Sequence, residues 1–196
     1  MKLIFKCLFI FSNFLSFAQG VVPTVDFNNF LVSFENGFFR QIEVQPVSNL
    51  KSGDEFVAYL DTRGNLRIYD GKERKDITLL NAEYEVSDNL LTWKIGPTLN
   101  VWDQGNLKTL TFNADNYFVK DSIIVFEDTQ YKSLNVLYKG ISTQLTVFSE
   151  LDLLKLPNYI GENIVIYKDN ALNAFAFWRG NTYEIGNFNE EIINYN

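Results

Sequence analysis

The chain has 196 residues, a formal net charge of −7 and no histidine. An excess of negative charge argues against binding to nucleic acid or to an anionic membrane surface, and the lack of histidine removes the commonest general base and metal ligand. Phenylalanine and tyrosine are abundant while methionine and proline are few, a bias that favours strands over helices.

The N-terminal segment has the pattern of a secretory signal peptide. Lys2 and Lys6 precede an apolar stretch, and Ser16-Phe17-Ala18 places small residues at the two positions that a signal peptidase reads. We therefore predict cleavage after Ala18, which assigns residues 1–18 to the signal peptide.

A membrane anchor is the alternative interpretation of this segment. The apolar run is too short to span a bilayer and is interrupted by Ser12 and Asn13. Cleavage would also remove Cys7, the single cysteine, so the mature chain would hold neither a disulfide nor a thiol. The remaining residues 19–196 are enough for one domain, which we expect to be periplasmic or extracellular.

Residues 56–71 form the clearest strand-turn-strand pattern. The first five are apolar, as in a strand buried on both faces, and Arg63-Gly64-Asn65 then supplies a residue that tolerates positive φ. Asp70-Gly71 predicts a two-residue type I′ hairpin turn. The charged residues 72–76 predict a short, exposed strand at a sheet edge.

This pattern recurs along the chain. The hairpin glycines that end each copy are Gly37, Gly71, Gly105, Gly140 and Gly180, at spacings of 34, 34, 35 and 40. The acidic residues that precede the main strand of each copy are Asp54, Asp88, Asp121 and Glu162, at spacings of 34, 33 and 41. A period of this length, made wholly of strand signals, is typical of β-propeller blades.

We therefore predict an all-β fold, a propeller-like array of about four to five four-stranded antiparallel blades. The predicted blades span residues 28–45, 47–80, 83–112, 116–147 and 157–186. The predicted strands of the third blade are 83–86, 89–95, 99–103 and 107–110. The Tyr-x-Val tripeptides at 84–86 and 117–119 would form the innermost strands of their blades. Aromatic side chains at one equivalent position would pack between blades, namely Tyr59, Trp93, Phe126 and Tyr167.

The number of copies leaves a ring incomplete. Residues 30–37 match only the second half of the repeat, and residues 186–196 supply about one further strand. The chain is then either a truncated piece of a longer propeller or an open array with exposed sheets, and we favour truncation. Residues 148–157 have the pattern of an inserted loop or a single helical turn.

The repeat unit resembles the WD40-like and TolB-like propeller repeats of exported bacterial proteins. It combines an acidic residue, apolar residues and an aromatic with a following Leu-x-Val/Ile and a glycine, and residues 61–69 are most similar to the TolB-type turn. The signal segment ending in Phe17-Ala18-Gln19 is similar to those of Bacteroidetes exported proteins. The resemblance covers residues 28–185 and implies a fold without supplying catalytic residues.

Carboxylates are the candidate catalytic groups. The most prominent are Glu35, Glu43, Asp54, Asp61, Asp88, Glu127 and Asp128. Some five-bladed glycoside hydrolases use only carboxylates, which need no histidine. However, the four acids that recur once per copy are more economically explained by turn or strand-start chemistry.

Calcium binding has weaker support. Residues 61–65 and 127–129 are rich in oxygen ligands, but neither segment has the spacing of an EF-hand loop. We predict no metal and no cofactor.

Aromatic and basic side chains offer two further candidate surfaces. Trp93, Trp102 and Trp178 could stack on sugars, although each lies in a strand pattern that favours core packing. The basic residues from Lys72 to Lys75 fit a solvated sheet edge better than a binding site.

The leading hypothesis is an exported, non-catalytic propeller that binds a protein or a glycan at the channel mouth or at the blade-end loops. We predict no nucleic-acid partner and no membrane span after signal cleavage. The alternative is a carboxylate-based glycoside hydrolase. It would need acids that converge at the channel, ~5 Å apart for a retaining pair or ~6.5–9.5 Å for an inverting pair.

Overall fold

The computed structural model describes residues 22–35, 37–148, 159–161 and 163–187. All regular structure in these residues is β-strand, arranged in five antiparallel sheets. Within each sheet, the strands pair with their neighbours in chain order. The predicted all-β array of separate antiparallel blades is therefore confirmed.

The five sheets follow one another along the chain. Sheet 1 contains β1 (Val22–Val25), β2 (Phe30–Glu35) and β3 (Phe38–Pro46). Sheet 2 contains β4 (Ser48–Ser52), β5 (Val57–Leu60), β6 (Leu66–Tyr69) and β7 (Arg74–Thr78). Sheet 3 contains β8 (Glu83–Ser87), β9 (Leu90–Ile95), β10 (Thr98–Asp103) and β11 (Asn106–Thr111). Sheet 4 contains β12 (Ala114–Lys120), β13 (Ile123–Asp128), β14 (Ser133–Tyr138) and β15 (Ile141–Val147). Sheet 5 contains β16 (Tyr159–Gly161), β17 (Ile164–Lys168), β18 (Asn173–Trp178) and β19 (Asn181–Asn187).

The order of the strands from inside to outside follows from their burial. The second strands β5 and β13 are buried along their whole length, because neighbouring sheets cover both of their faces. The fourth strand of sheet 3, β11, is mostly exposed. At the opposite edge, β8 lies beside both β4 and β12, so the first strands are the innermost ones, as predicted.

Aromatic side chains fill the spaces between adjacent sheets. The predicted set, Tyr59, Trp93, Phe126 and Tyr167, is between 0% and 5% exposed, which confirms its burial. Each of these residues belongs to an apolar cluster that joins its own sheet to the preceding one. Removing such a side chain from water contributes about 2 kcal/mol, so these contacts hold the array together.

Hairpins between third and fourth strands use left-handed backbone. Asp103 pairs with Asn106, which leaves Gln104 and Gly105 as a two-residue turn with φ values of 46° and 95°. Lys139-Gly140 and Arg179-Gly180 repeat this arrangement in sheets 4 and 5. Positive φ at both positions defines a type I′ turn, and glycine reaches it without strain.

The predicted two-residue turn at Asp70-Gly71 is wrong. Tyr69 pairs with Arg74, so the loop has four residues. The Asp70 side chain stabilises this longer loop. Its Oδ1 accepts hydrogen bonds from the backbone N–H groups of Lys72 and Glu73 at 3.1 and 2.9 Å. An aspartate that closes the loop in this way offers the backbone an alternative to the tighter turn.

Sheet 1 is larger than the half-repeat that the sequence predicts. It has three described strands and begins at Val22, upstream of the predicted start at residue 28. The missed strand, β1, contains Pro23, and the described part of the sheet pairs it with β2 alone. Proline is depleted in strands, so Pro23 makes β1 difficult to recognise in the sequence.

Some predictions concern residues outside the described ranges. These are the signal peptide at 1–18, most of the inserted segment at 148–157, Glu162, and the tail beyond residue 187. Phe148 is described, and its side chain packs between sheets 4 and 5.

We expect Phe126→Ala to lower the free energy of unfolding by about 3–5 kcal/mol, because Phe126 is 2% exposed between sheets 3 and 4 and its loss leaves a cavity. Phe112→Ala is the matched control, since Phe112 is 68% exposed and its loss should cost at most about 0.5 kcal/mol. Urea unfolding measures both. Equal costs for the two variants would contradict the packing described above.

Candidate functional site

A groove of about 670 Å³ runs along the inner strands of sheets 2, 3 and 4. It lies at the end of the sheets where the chain passes from one sheet to the next. Its walls come from β4, from the link at Asn81 and Ala82, from β8, and from Tyr117 on β12. Because the first strands are innermost, this groove opens toward the axis around which the sheets are arranged.

Lys51 on β4 bridges two sheets at the centre of the groove. Its Nζ donates to the backbone O of Tyr84 at 2.7 Å and pairs with Glu85 Oε2 at 3.1 Å. The same ammonium lies 5.0 Å from the centroid of the Tyr84 ring. Since the Lys51 and Glu85 side chains are 39% and 58% exposed, both remain accessible to a ligand.

Two tyrosines give the groove its aromatic surface. Tyr84 is buried, and its hydroxyl makes no hydrogen bond with any described residue. Burial, followed by the charge of Glu85, raises the pKa of Tyr84. Burial, together with the charges of Glu85 and Glu83, raises the pKa of Tyr117 to about 12. Both phenols are therefore neutral at physiological pH. The Tyr84 hydroxyl is enclosed by protein, so Tyr117 is the one of the two that a ligand can reach.

The groove combines several kinds of polar group on one concave surface. Asn49 and Asn81 supply amides, Glu83 and Glu85 supply carboxylates, and Lys51 supplies an ammonium. Such a set favours recognition of a polar ligand by hydrogen bonds, with the half-buried Tyr117 ring available for stacking. The two tyrosines begin the recurring Tyr-x-Val tripeptides of the inner strands, but the sequence did not indicate that Asn49, Lys51, Asn81 and Glu83 lie beside them, because none of these four belongs to a recurring motif.

A second groove of about 400 Å³ lies between sheets 2 and 3 at the opposite end. Phe56 and Trp102 form its base, with ring centroids 4.8 Å apart, and Lys72 and Lys75 line it. Lys75 is paired with Asp70 and Glu73 of its own hairpin at 2.9 and 3.0 Å. The basic residues at 72–75 therefore lie at a solvated sheet edge, in part neutralised by their neighbours.

Glu43 forms the centre of a buried ion cluster between sheets 1 and 2. Its Oε1 accepts a hydrogen bond from the Tyr59 hydroxyl at 2.8 Å, and Arg67 and Arg74 contact its two oxygens at 3.1 and 3.0 Å. Arg67 also pairs with Asp61 at 3.1 Å. Burial, followed by the hydrogen bond to Glu43, raises the pKa of Tyr59. Every carboxylate oxygen of Glu43 has a partner, so this acid acts as a structural link between sheets.

Aspartates close the turns between second and third strands. Asp61 Oδ1 accepts from the backbone N–H groups of Arg63 and Asn65, and Oδ2 accepts from the Asn65 amide. Asp169 makes the same three contacts with Ala171 and Asn173. Burial alone would raise the pKa of Asp61, but these hydrogen bonds and the Arg67 guanidinium outweigh it and hold that pKa below its usual value.

The oxygen-rich segment at 127–129, for which no metal was predicted, has a similar arrangement. Asp128 accepts hydrogen bonds from the backbone N–H groups of Gln130 and Tyr131, and from the Thr111 hydroxyl. Glu127 is buried, which raises its pKa, and it accepts a hydrogen bond from the Asn116 amide at 2.7 Å. Among the described residues, no group of three or more acids or other ligand side chains is placed to hold a metal ion.

The three recurring acids within the described ranges, Asp54, Asp88 and Asp121, lie one per sheet, in or beside the turns between first and second strands. The Asp54 N–H donates to Asp88 O of the next sheet at 2.8 Å. Asp88 Oδ2 accepts from the Ser122 hydroxyl of sheet 4 at 3.0 Å, and Asp121 Oδ2 accepts from the Asn163 N–H of sheet 5 at 3.2 Å. These contacts form a chain of hydrogen bonds from sheet 2 to sheet 5 along one rim. Their period is that of the repeat because each contact joins neighbouring blades.

The three tryptophans occupy different environments. Trp93 and Trp102 are buried in the core between sheets 2 and 3. Trp178 is 41% exposed, with the Arg179 guanidinium 4.6 Å from its ring centroid. The expected core packing is therefore wrong for Trp178, whose strand β18 has no sheet beyond it among the described residues.

Five consecutive antiparallel sheets with inner first strands and exposed fourth strands define a β-propeller. The family model of the 10-bladed beta propeller domain matches residues 15–196, and the chain belongs to that family. No curated protein matches the chain. The described residues contain no helix long and apolar enough to cross a membrane.

Several solved structures are similar to the chain in outline. The computationally designed Ika8 protein is 15% identical, with a TM-score of 0.42, over 85% of this chain and 58% of its own. Prp20p from Saccharomyces cerevisiae is 9% identical, with a TM-score of 0.44, over 81% and 56%. Hsv2 from Kluyveromyces lactis is 11% identical, with a TM-score of 0.40, over 86% and 60%. The matched region is thus a little more than half of each of these structures.

We expect Glu43→Ala to lower the free energy of unfolding by about 3–5 kcal/mol, because it leaves Arg67 and Tyr59 without their buried partner. Glu85→Ala removes an exposed ion pair on Lys51 and should cost at most about 1 kcal/mol. Chemical unfolding of both variants tests this difference. A small loss for Glu43→Ala would show that the buried cluster does not stabilise the contact between sheets.

The lowered pKa of Asp61 gives stability that is present at neutral pH and is lost as pH falls through the folded-state pKa. Asp61→Asn should therefore cost about 1–3 kcal/mol at pH 7. The cost should decrease below pH ~4, where the carboxyl of the unfolded parent chain takes up a proton, and should vanish once the carboxyl of the folded chain is protonated too. Unfolding curves of parent and variant measured across this range test the prediction. A cost that stays constant down to the lowest pH would contradict it.

Proposed function

We propose that the chain is a non-catalytic binding or scaffold module whose partner is a protein or a glycan. The inner-strand groove carries this proposal. It is concave, it spans three consecutive sheets, and it presents an ammonium, carboxylates, amides and the Tyr117 ring together. These groups suit hydrogen bonding and ring stacking with a polar ligand.

The environment of the prominent carboxylates supports a non-catalytic role. Glu43 is enclosed by arginines and a tyrosine, and Asp61 and Asp128 accept hydrogen bonds from their own turns. Asp88 and Asp121 join neighbouring sheets. A carboxylate that is occupied by such contacts stabilises the fold and is poorly placed for proton transfer to a ligand.

Export is proposed from the sequence alone. The basic start, the apolar stretch and the small residues before the predicted cleavage site are typical of a secretory signal peptide. The likeness of the repeat to WD40-like and TolB-like propellers of exported bacterial proteins supports the same compartment. Localisation of the processed chain to the periplasm or the medium would test this part of the proposal.

Glycan arrays and affinity capture with the processed full chain test for a partner. We expect Lys51→Glu to weaken binding at least tenfold, since it places a negative charge beside Glu85 at the centre of the groove. Lys108→Glu is the matched control, because Lys108 lies on the outer strand β11 away from the groove. Unfolding curves confirm that both variants fold. A ligand that binds the parent and the Lys51 variant equally would exclude the groove as the binding site.

A carboxylate-based glycoside hydrolase is the second candidate, and one feature of the groove favours it. Glu83 and Glu85 are two positions apart on β8, so their exposed carboxylates share a face of the strand and both line the groove. A carboxylate-based hydrolase needs two such acids in one cleft. If the groove is hydrolytic, oligosaccharides are cleaved by the parent and not by Glu83→Gln, while binding persists. The binding-module proposal expects no cleavage by either protein.

A further inference from the structure

The two end sheets of the array each have one apolar face that no described sheet covers. On sheet 1, Leu31 and Ser33 are fully buried on the side of sheet 2. Strand alternation therefore places Val32 and Phe34 on the opposite face, and their cross-strand partners Val22 and Phe39 join them there. We call this surface, formed by Val22, Val32, Phe34 and Phe39, the leading face.

On sheet 5, Val165 and Phe177 face sheet 4. The alternate residues of β17 and β18, and their partners on β19, form the opposite surface. We call it the trailing face, and its members are Ile164, Ile166, Ala176, Trp178 and Tyr183.

The leading face matches a surface that is buried everywhere else in the chain. Phe34 occupies the same place in its sheet as Tyr69, Trp102, Leu137 and Phe177, by strand position and pairing. Those four side chains are between 1% and 6% exposed, whereas Phe34 is 41% exposed. Phe39 is 71% exposed, and its ring centroid lies 5.1 Å from that of Phe34. Phe34 thus occupies a position that packs against a neighbouring sheet elsewhere in the chain, but no described sheet covers it.

The trailing face matches the complementary surface of the same contact. Ile166 and Ala176 are paired as Val125 and Val136 are in sheet 4, where both valines are fully buried. Trp178 corresponds to Tyr138, which packs edge-on against Phe177 of the next sheet at 6.3 Å between centroids. In sheet 5, by contrast, Ile166 and Ala176 are only half-buried, and Trp178 is 41% exposed.

Both end faces therefore continue the interface that already joins the five sheets to one another. The family to which the chain belongs is defined by ten blades, and the described residues supply five. Two copies placed head to tail would give ten, and each trailing face would pack on the leading face of the other copy. We propose that this chain forms a closed homodimer, a ten-bladed ring with two equivalent contacts related by a twofold axis. Closure leaves no apolar end face in water, which an open array of any length cannot achieve. The proposal is independent of the ligand of the inner groove.

The mass of the processed full chain in solution, measured by light scattering over a wide concentration range, tests the dimer. We expect the mass of two chains and no larger species. The mass of one chain would overturn the proposal. Closure of the ring by further blades of the same polypeptide would give that result. A series of growing assemblies would also overturn it, because head-to-tail contacts that do not close give open filaments.

Substitutions at the two faces test the geometry of the contact. Phe34→Glu and Trp178→Glu should each halve the measured mass, because each places a charge in both contacts of the dimer. Leu107→Glu is the control, since Leu107 is 60% exposed on an outer strand, and it should keep the mass of two chains. Circular dichroism and unfolding curves confirm that the variants fold.

A mixture of the two variants separates head-to-tail contact from other pairings. Phe34→Glu retains an intact trailing face and Trp178→Glu retains an intact leading face, so one native contact can form and two-chain species should reappear on mixing. If leading faces paired with each other, Trp178→Glu alone would stay dimeric and mixing would restore nothing. That result, or retention of the dimer by Phe34→Glu, would overturn the proposal.

Discussion

Burial of sheet faces against one another is the interaction on which this structure depends. A single four-stranded sheet of this chain has apolar side chains on both faces, as in β13, where all six residues are buried. No such sheet can remove both faces from water by itself, so each one is stabilised by its two neighbours. The polar contacts follow the same logic. The Glu43 cluster joins sheets 1 and 2, and the rim hydrogen bonds of Asp88 and Asp121 join sheets 3, 4 and 5.

Much of the fold could be predicted because the recurring residues lie on strands that are covered by two neighbouring sheets. An aromatic or aliphatic side chain is required wherever a strand is covered on both sides, and this is why Tyr59 and Trp93 recur in step. The glycine of each hairpin is required by positive φ, as at Gly105. Strand β1 could not be predicted, because it has only four residues and one of them is Pro23, a residue type that is depleted in strands. The loop at Asp70 escaped prediction since one side chain decided between two turns of different length.

The candidate site was less accessible from sequence. The groove residues Lys51, Glu85 and Tyr117 lie on three different inner strands, so their proximity depends on how the sheets are arranged around the axis. The acids that recur in the sequence have a different role, because they join neighbouring sheets at the rim. Residues that recur with the blades are those that every blade needs, and a ligand-binding group is required only once. A search for repeated residues therefore finds the contacts between sheets, whereas binding groups are found among the residues that break the repeat.

Native-state hydrogen exchange measures the dependence of one sheet on the next most directly. Val136 of sheet 4 is fully buried against sheet 5, so Val136→Ala should speed amide exchange in β17 and β18 as well as in β13 and β14. The account predicts comparable losses of protection in both sheets. Faster exchange confined to sheet 4, with sheet 5 unchanged, would show that the sheets are stable independently and would contradict it.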